Sequence, residues 1–180
     1  MSFLHIIIGP MMSSKTTRTI QLIRQYRVIN KQMLLINHAL DTRYAESHIY
    51  SHDGVKEPCI SLSSLADLRS MELYKNADMV VIEEAHFFND LYEFIVKELQ
   101  MTNKYFIICG LSGDYVAKPF GQILDLVPHG NIVEKLHGFC KDCSDGTAGI
   151  YSKRIVESGD QVLIGAVESY KCVCRKHFYS

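Results

Sequence analysis

Three groups of residues have the types and spacing for chemistry. The first is Gly9-Pro10-Met11-Met12-Ser13-Ser14-Lys15-Thr16. An apolar run, Ile6-Ile7-Ile8, stops at the glycine; a short loop follows, and Lys-Thr opens a segment that reads as helix. That is the order of a phosphate-binding loop, in which backbone N–H groups at a helix start hold phosphate oxygens. Lys15 would reach the β- and γ-phosphates of a nucleotide, and the Thr16 hydroxyl would ligate magnesium. The pattern G-x-x-x-x-G-K-[ST] asks for glycine where Ser14 stands, so the loop has to tolerate a side chain there.

The second group is Glu83-Glu84, placed directly after the apolar run Met79–Ile82. Carboxylates at the carboxyl end of a buried strand lie where open α/β sheets bind ligands. Downstream of a phosphate loop they form the magnesium-holding strand end of a nucleotide enzyme. Glu83 would face the metal, and Glu84, pointing the other way, would take a proton from an attacking hydroxyl. The third group is Cys140-x2-Cys143 with Cys174-x2-His177, two ligand pairs at zinc-knuckle spacing. Three thiolates and one imidazole make a closed tetrahedral site, hence a structural one. Cys172 is a rival thiol without the matching spacing to His177.

The elements that must position these groups follow from hydrophobic patterning. Leu4–Ile8, Met33–Ile36, Met79–Ile82 and Tyr105–Cys109 read as buried strands. Helices are expected from Thr16 to about Ile29, from a cap at Ser63 or Ser64 to about Tyr74, and after a cap at Asn89 or Asp90. This alternation predicts a parallel sheet with helices on both faces. The polar stretch from His38 to Glu57 holds Asp41-Thr42-Arg43-Tyr44 and Ser51-His52-Asp53-Gly54. A loop of that length is usually functional or disordered. Tyr115 and Phe120 stand in a loop-forming region that can anchor to the core or sandwich a flat base. Tyr151–Val156 and Gln161–Ile164 read as the two arms of a hairpin around Ser158-Gly159-Asp160.

Composition sets the outer bounds. The chain has 180 residues, enough for one domain and a small appendage, and its 47% hydrophobic content supports a core. A formal net charge of −1 provides no basic field for nucleic acid. Ile6 to Ile8 is too short for a signal peptide or a membrane span, so a soluble, cytoplasmic protein is expected. Six cysteines then read as metal ligands or buried thiols rather than a disulfide frame.

Taken in order, the motifs resemble the type II, zinc-containing thymidine kinases over nearly the whole chain, from Ile6 to His177. The resemblance is carried by Gly9-Pro10-Met11 with Lys15-Thr16, Asp41-Thr42-Arg43-Tyr44, His52-Asp53, Glu84-Ala85-His86-Phe87-Phe88, Lys118-Pro119-Phe120-Gly121, Leu126-Val127-Pro128, Cys140-x2-Cys143, Lys153-Arg154 and Tyr170 ahead of Cys174. It implies a P-loop NTPase-like α/β fold, with a mostly parallel sheet and flanking helices over residues 1–136. A zinc-binding β subdomain with a lasso loop would follow over residues 137–180.

The implied reaction is transfer of the γ-phosphate of ATP to the 5′-hydroxyl of thymidine, with Mg2+ required. Glu84 would be the general base, and Lys15 and Thr16 the phosphate-loop lysine and magnesium-ligating hydroxyl. Gly9 to Thr16, that is Gly9, Pro10, Met11, Met12, Ser13, Ser14, Lys15 and Thr16, would cradle the nucleotide. Glu83 and Asp41 would hold the metal and its waters, and Arg43 would face the phosphates. The nucleoside pocket would take Met11, Phe87, Leu111, Tyr115, Phe120 and Tyr170, closed by the lasso Gln161-Val162-Leu163-Ile164-Gly165. Zinc would sit on Cys140, Cys143, Cys174 and His177. The resemblance also implies a homotetramer and inhibition by dTTP, with no nucleic-acid or membrane partner. Ser14, Glu83, Tyr115 and His177 depart from the usual glycine, aspartate, phenylalanine and cysteine. Those changes keep two further readings open, a broader deoxynucleoside kinase and a catalytically weakened nucleotide-binding homologue.

Overall fold

The computed structural model describes residues 1–41, 48–50, 54–156 and 169–180. Thr42, Arg43, Tyr44, His52, Asp53 and the expected lasso from Gln161 to Gly165 lie outside the described residues. In chain order the first elements are β1 (Phe3–Gly9), α1 (Lys15–Val28), β2 (Met33–His38), β3 (His48–Tyr50), β4 (Lys56–Pro58) and β5 (Ile60–Leu62). Then come α2 (Glu72–Asn76), β6 (Met79–Ile82), α3 (Leu91–Met101), β7 (Tyr105–Leu111) and β8 (Ile132–Lys135). The last stretch holds β9 (Gly138–Phe139), β10 (Ala148–Gly149), β11 (Tyr151–Arg154), β12 (Tyr170–Val173) and α4 (Arg175–Phe178).

Six strands form one sheet in the order β5-β2-β6-β7-β1-β8, and every neighbouring pair in it is parallel. Side chains of opposite parity go to opposite faces. Leu4, Ile6, Ile8, Val80, Ile82, Phe106 and Ile108 pack with Leu91, Phe94 and Ile95 of α3. Ile7, Leu35, Val81, Ile107 and Cys109 pack with Leu22 and Ile23 of α1. Strands covered on both faces need no polar side, which is why they read as unbroken apolar runs. Each large aliphatic so buried contributes roughly 1.5–3 kcal/mol. An ionic clamp adds register: Glu134 of β8 accepts from Arg18 Nε and Nη2, both at 2.9 Å, and pairs with the buried His5 Nε2 at 2.6 Å. It holds the first turns of α1 over β1 and β8.

Two local expectations change. The helix expected through Tyr74 is broken: a 3-10 turn at Leu68–Ser70 and α2 are separated by Met71, whose ψ of 130° is extended. On one straight helix Tyr74 would sit about 240° around the axis from Leu68. The break lets Leu65, Leu68 and Tyr74 enter the same core cluster. Asp90 does precede α3, but its carboxylate accepts from Leu65 N and Ser64 Oγ, both at 2.7 Å, and ties two loops instead of capping its helix. β11 pairs antiparallel with β12, Tyr151 opposite Val173 and Arg154 opposite Tyr170. The arm expected at Gln161–Ile164 lies outside the described residues.

The small β9–β12 region lies against the loop after β1. Met11 N–H donates to Ser152 Oγ at 2.9 Å. A Cβ on Gly138 would stand 2.6 Å from the Met12 carbonyl oxygen, so only glycine allows this approach.

Candidate active site and metal centre

The strand order brings the first two groups together. β6 and β1 flank β7, with Gly9 level with Leu111 and Ile82 level with Ile108. The loop after β1 and the acidic turn after β6 therefore open on the same edge of the sheet.

The loop wraps on itself. Pro10 O accepts from Ser13 Oγ at 2.8 Å and from Lys15 Nζ at 2.7 Å, so the lysine lies across the loop. Ser14 sits at φ 60°, ψ 28°, the left-handed conformation for which glycine is the usual residue. Met12 also has φ 60°. Side chains with a Cβ cost of order 1–3 kcal/mol there, and surrounding contacts must hold them. No side chain caps α1. Its first-turn N–H groups face the loop and suit an anion. Thr16, half-buried, lies in that first turn.

Glu83 is buried at 3% exposure. One of its oxygens, Oε1, has no hydrogen-bond partner. Burial and the neighbouring Glu84 push its carboxyl up to about 7, against hydrogen bonds to Thr19 and Cys109 and the pull of Lys15. The nearby Thr19, whose hydroxyl donates to Lys15 O at 3.2 Å, is a residue the sequence does not single out. A buried carboxylate with a spare oxygen beside a lysine suits a divalent cation, which would replace the missing partner.

Glu84 follows at φ 50°, half-exposed. His86, buried to 2% exposure, faces its Oε2 through Nε2 at 3.5 Å. Asp41 accepts from Asn37 Nδ2 at 3.0 Å at the end of β2. Four of the expected nucleoside-pocket residues fall into two pairs. Phe87 and Phe120 meet edge to face at 5.6 Å and both touch the His86 ring, at 4.2 and 4.6 Å. Tyr115 lies under the Arg154 guanidinium at 3.8 Å, and Arg154 Nη2 donates to Tyr170 Oη at 2.8 Å. Leu111 joins β7 to the first pair through its N–H to His86.

The Cys140, Cys143, Cys174 and His177 ligand atoms all lie within 4.8 Å of one another. His177 Nδ1 is 3.5, 3.4 and 3.4 Å from the three sulfurs, and Cys143 Sγ is 3.8 Å from Cys174 Sγ. Tetrahedral zinc at ordinary bond lengths requires edges of about 3.5 Å for N···S and about 3.8 Å for S···S. The donor set fits zinc on geometry and on chemistry. Cys172 is buried elsewhere, with its sulfur against Gly138 and Gly149.

A family profile described as thymidine kinase matches residues 2–178. The chain belongs to the thymidine kinase family. It is 38% identical to thymidine kinase 1 of Dictyostelium discoideum over 96% of this chain and 75% of that protein. It is 36% identical to the thymidine kinase of Yaba monkey tumor virus over 98% of this chain and 94% of the relative. Against thymidine kinase a of Arabidopsis thaliana the identity is 35%, over 97% and 74% of the two chains.

Four residues of the family member's cleft carried no functional role in the sequence reading: Thr19, His38, His86 and Ser152. His38 ends β2, meets Phe88 edge-on at 4.4 Å, and is held below its ordinary value mainly by burial. A histidine that closes an apolar strand is the signal that could have drawn attention to it. Ser152 offers none, since its partner, the Met11 amide, is 141 positions away. Among the described residues no helix is long and apolar enough to cross a membrane.

Proposed function

We propose that this chain transfers the γ-phosphate of ATP to the 5′-hydroxyl of thymidine, giving dTMP. The observation that carries the reading is the meeting, beside the end of β7, of a lysine-bearing phosphate loop and two carboxylates, with Glu83 under the influence of both Lys15 and Glu84. Residues Gly9 to Thr16 bind the triphosphate through backbone N–H groups, and Lys15 swings from Pro10 O onto the β- and γ-oxygens. Glu83 and Thr16, with Asp41 at the β2 end, would hold Mg2+ and its waters. When bound, that ion neutralises charge on the transferring phosphate. Glu84 accepts the proton of the 5′-hydroxyl as the oxygen attacks. Met11, Phe87, Leu111, Tyr115, Phe120 and Tyr170 form the nucleoside pocket, with Arg43 on the phosphates and Gln161–Gly165 closing over the base. Zinc on Cys140, Cys143, Cys174 and His177 is structural and organises residues 137–180 as a subdomain beside residues 1–136. Family membership supports a cytoplasmic homotetramer with dTTP as inhibitor.

The test is a nucleoside kinase assay over four deoxynucleosides with ATP and Mg2+. Thymidine is expected to be the best acceptor. Glu84→Gln is expected to lose roughly 10²–10⁴-fold in kcat while thymidine still binds. Wild-type turnover by that variant would place the base elsewhere. The left-handed Ser14 favours one second reading, a nucleotide binder with weakened catalysis. Tight thymidine binding without product in the same assay would select it.

A further inference from the structure

We propose that His86 is the positioning residue for Glu84, fixing the carboxylate through a locked neutral imidazole. The proposal rests on the reading of Glu84 as base and adds what aims it. His86 sits in a turn whose side chain is buried and whose two ring nitrogens have different jobs. Leu111 N–H donates to Nδ1 at 3.1 Å. A backbone N–H can only donate, so Nδ1 is the acceptor and the ring proton is on Nε2. Nε2 in turn faces Glu84 Oε2 at 3.5 Å. Such contacts are commonly long before substrate binds and shorten in the reactive complex.

The surroundings are built to keep the ring there. A Cβ on Gly110 would stand 2.9 Å from Nδ1, and one on Gly121 would stand 2.0 Å from the His86 carbonyl oxygen. Gly121 is also at φ 60°, so the Lys118-Pro119-Phe120-Gly121 loop can close on His86 only with glycine at that place. Phe87 and Phe120 cover the ring. Glu84 itself stands at φ 50°, where a non-glycine backbone is held by its neighbours rather than by its own preference. The arrangement runs from a strand-end amide, through an imidazole, to the base. It follows the general design in which a third group orients the base.

Two variants separate aim from packing. Asn in place of His86 can accept from Leu111 N–H but is too short to reach Glu84. Gln reaches as far as Nε2 and can donate there. His86→Asn is expected to lower kcat about 10- to 100-fold with thymidine and ATP affinity within about twofold, a kcat-specific loss. His86→Gln is expected to stay within about threefold of wild type. Because the effect passes through Glu84, adding His86→Asn to Glu84→Gln should cost nothing further. Wild-type kcat in His86→Asn, an equal loss in His86→Gln, or additive losses in the double variant would each overturn the proposal. Nitrogen-15 spectra of labelled wild-type protein decide it without turnover. The neutral Nε2–H tautomer is expected, with an Nε2 resonance that moves in Glu84→Gln. An Nδ1–H tautomer, or no movement, would refute it. A wild type inactive on thymidine would defeat the kinase reading alone, leaving the spectra to judge His86.

Discussion

The candidate metal centre and the proposed phosphate cleft are built on opposite plans. At Cys140, Cys143, Cys174 and His177 the chain brings four donors to the spacing an ion requires, using two local pairs and one short helix. Little there is out of its ordinary conformation except the turn at Ser144, φ 53°. The cleft holds left-handed Met12, Ser14 and Glu84 and a buried carboxylate with a spare oxygen. The difference follows from what each must meet. A closed site is completed by one ion of fixed geometry. A cleft that handles a triphosphate must keep donors and charges in place whose partners come and go, and the backbone around it carries the strain.

Breaking the metal centre should have the largest effect. Cys143→Ala is expected to reduce bound zinc from close to one per chain to near zero and to unfold the β9–β12 region, read by metal analysis and circular dichroism. Folded, zinc-free wild-type protein would contradict the four-ligand assignment. Next is Lys15→Ala, which removes the cation over the loop. A loss of roughly 10²–10³-fold in kcat/KM for ATP is expected, with thymidine binding by calorimetry unchanged. Third is Glu83→Gln. Glu83 titrates near 7 in the fold and near the ordinary 4.5 when unfolded. The folded state therefore holds the proton longer, and stability falls as pH rises from about 4.5 to about 7. Without magnesium, the Gln variant should match wild type at pH 4 and exceed it by on the order of 3 kcal/mol at pH 8, by urea titration. Its metal-dependent turnover should fall. An advantage that shrank with rising pH would reverse the assignment. Smallest is Ser14→Gly. Relief of the left-handed strain, partly offset by a freer unfolded chain, should raise Tm by about 1–3 °C.

The same contrast explains what could be read from the chain alone. The ligand pairs were legible because each is local, two residues between donors. The strands Ile6–Ile8, Met79–Ile82 and Tyr105–Cys109 were legible because burial on both faces leaves no polar alternation. The order of those strands was not, and neither was the partner of β11, since pairing across long connections leaves no period in the sequence. Ser14 marked the loop as irregular, but only the backbone reveals that it adopts a left-handed conformation of the kind glycine favours. His86 lay in plain view inside a motif, yet its role depends on an N–H from Leu111, 25 positions on. Contacts of that kind are set by packing, which local patterns do not encode.

One hydrogen bond reaches further than its size. Ser152 Oγ holds the Met11 amide across 141 positions of sequence. The loop's outline thus belongs jointly to both ends of the polypeptide. A transplant of residues 1–136 onto a foreign tail would leave the Met11 amide without its tether, and a truncated fragment would present ATP with a mouth of altered shape.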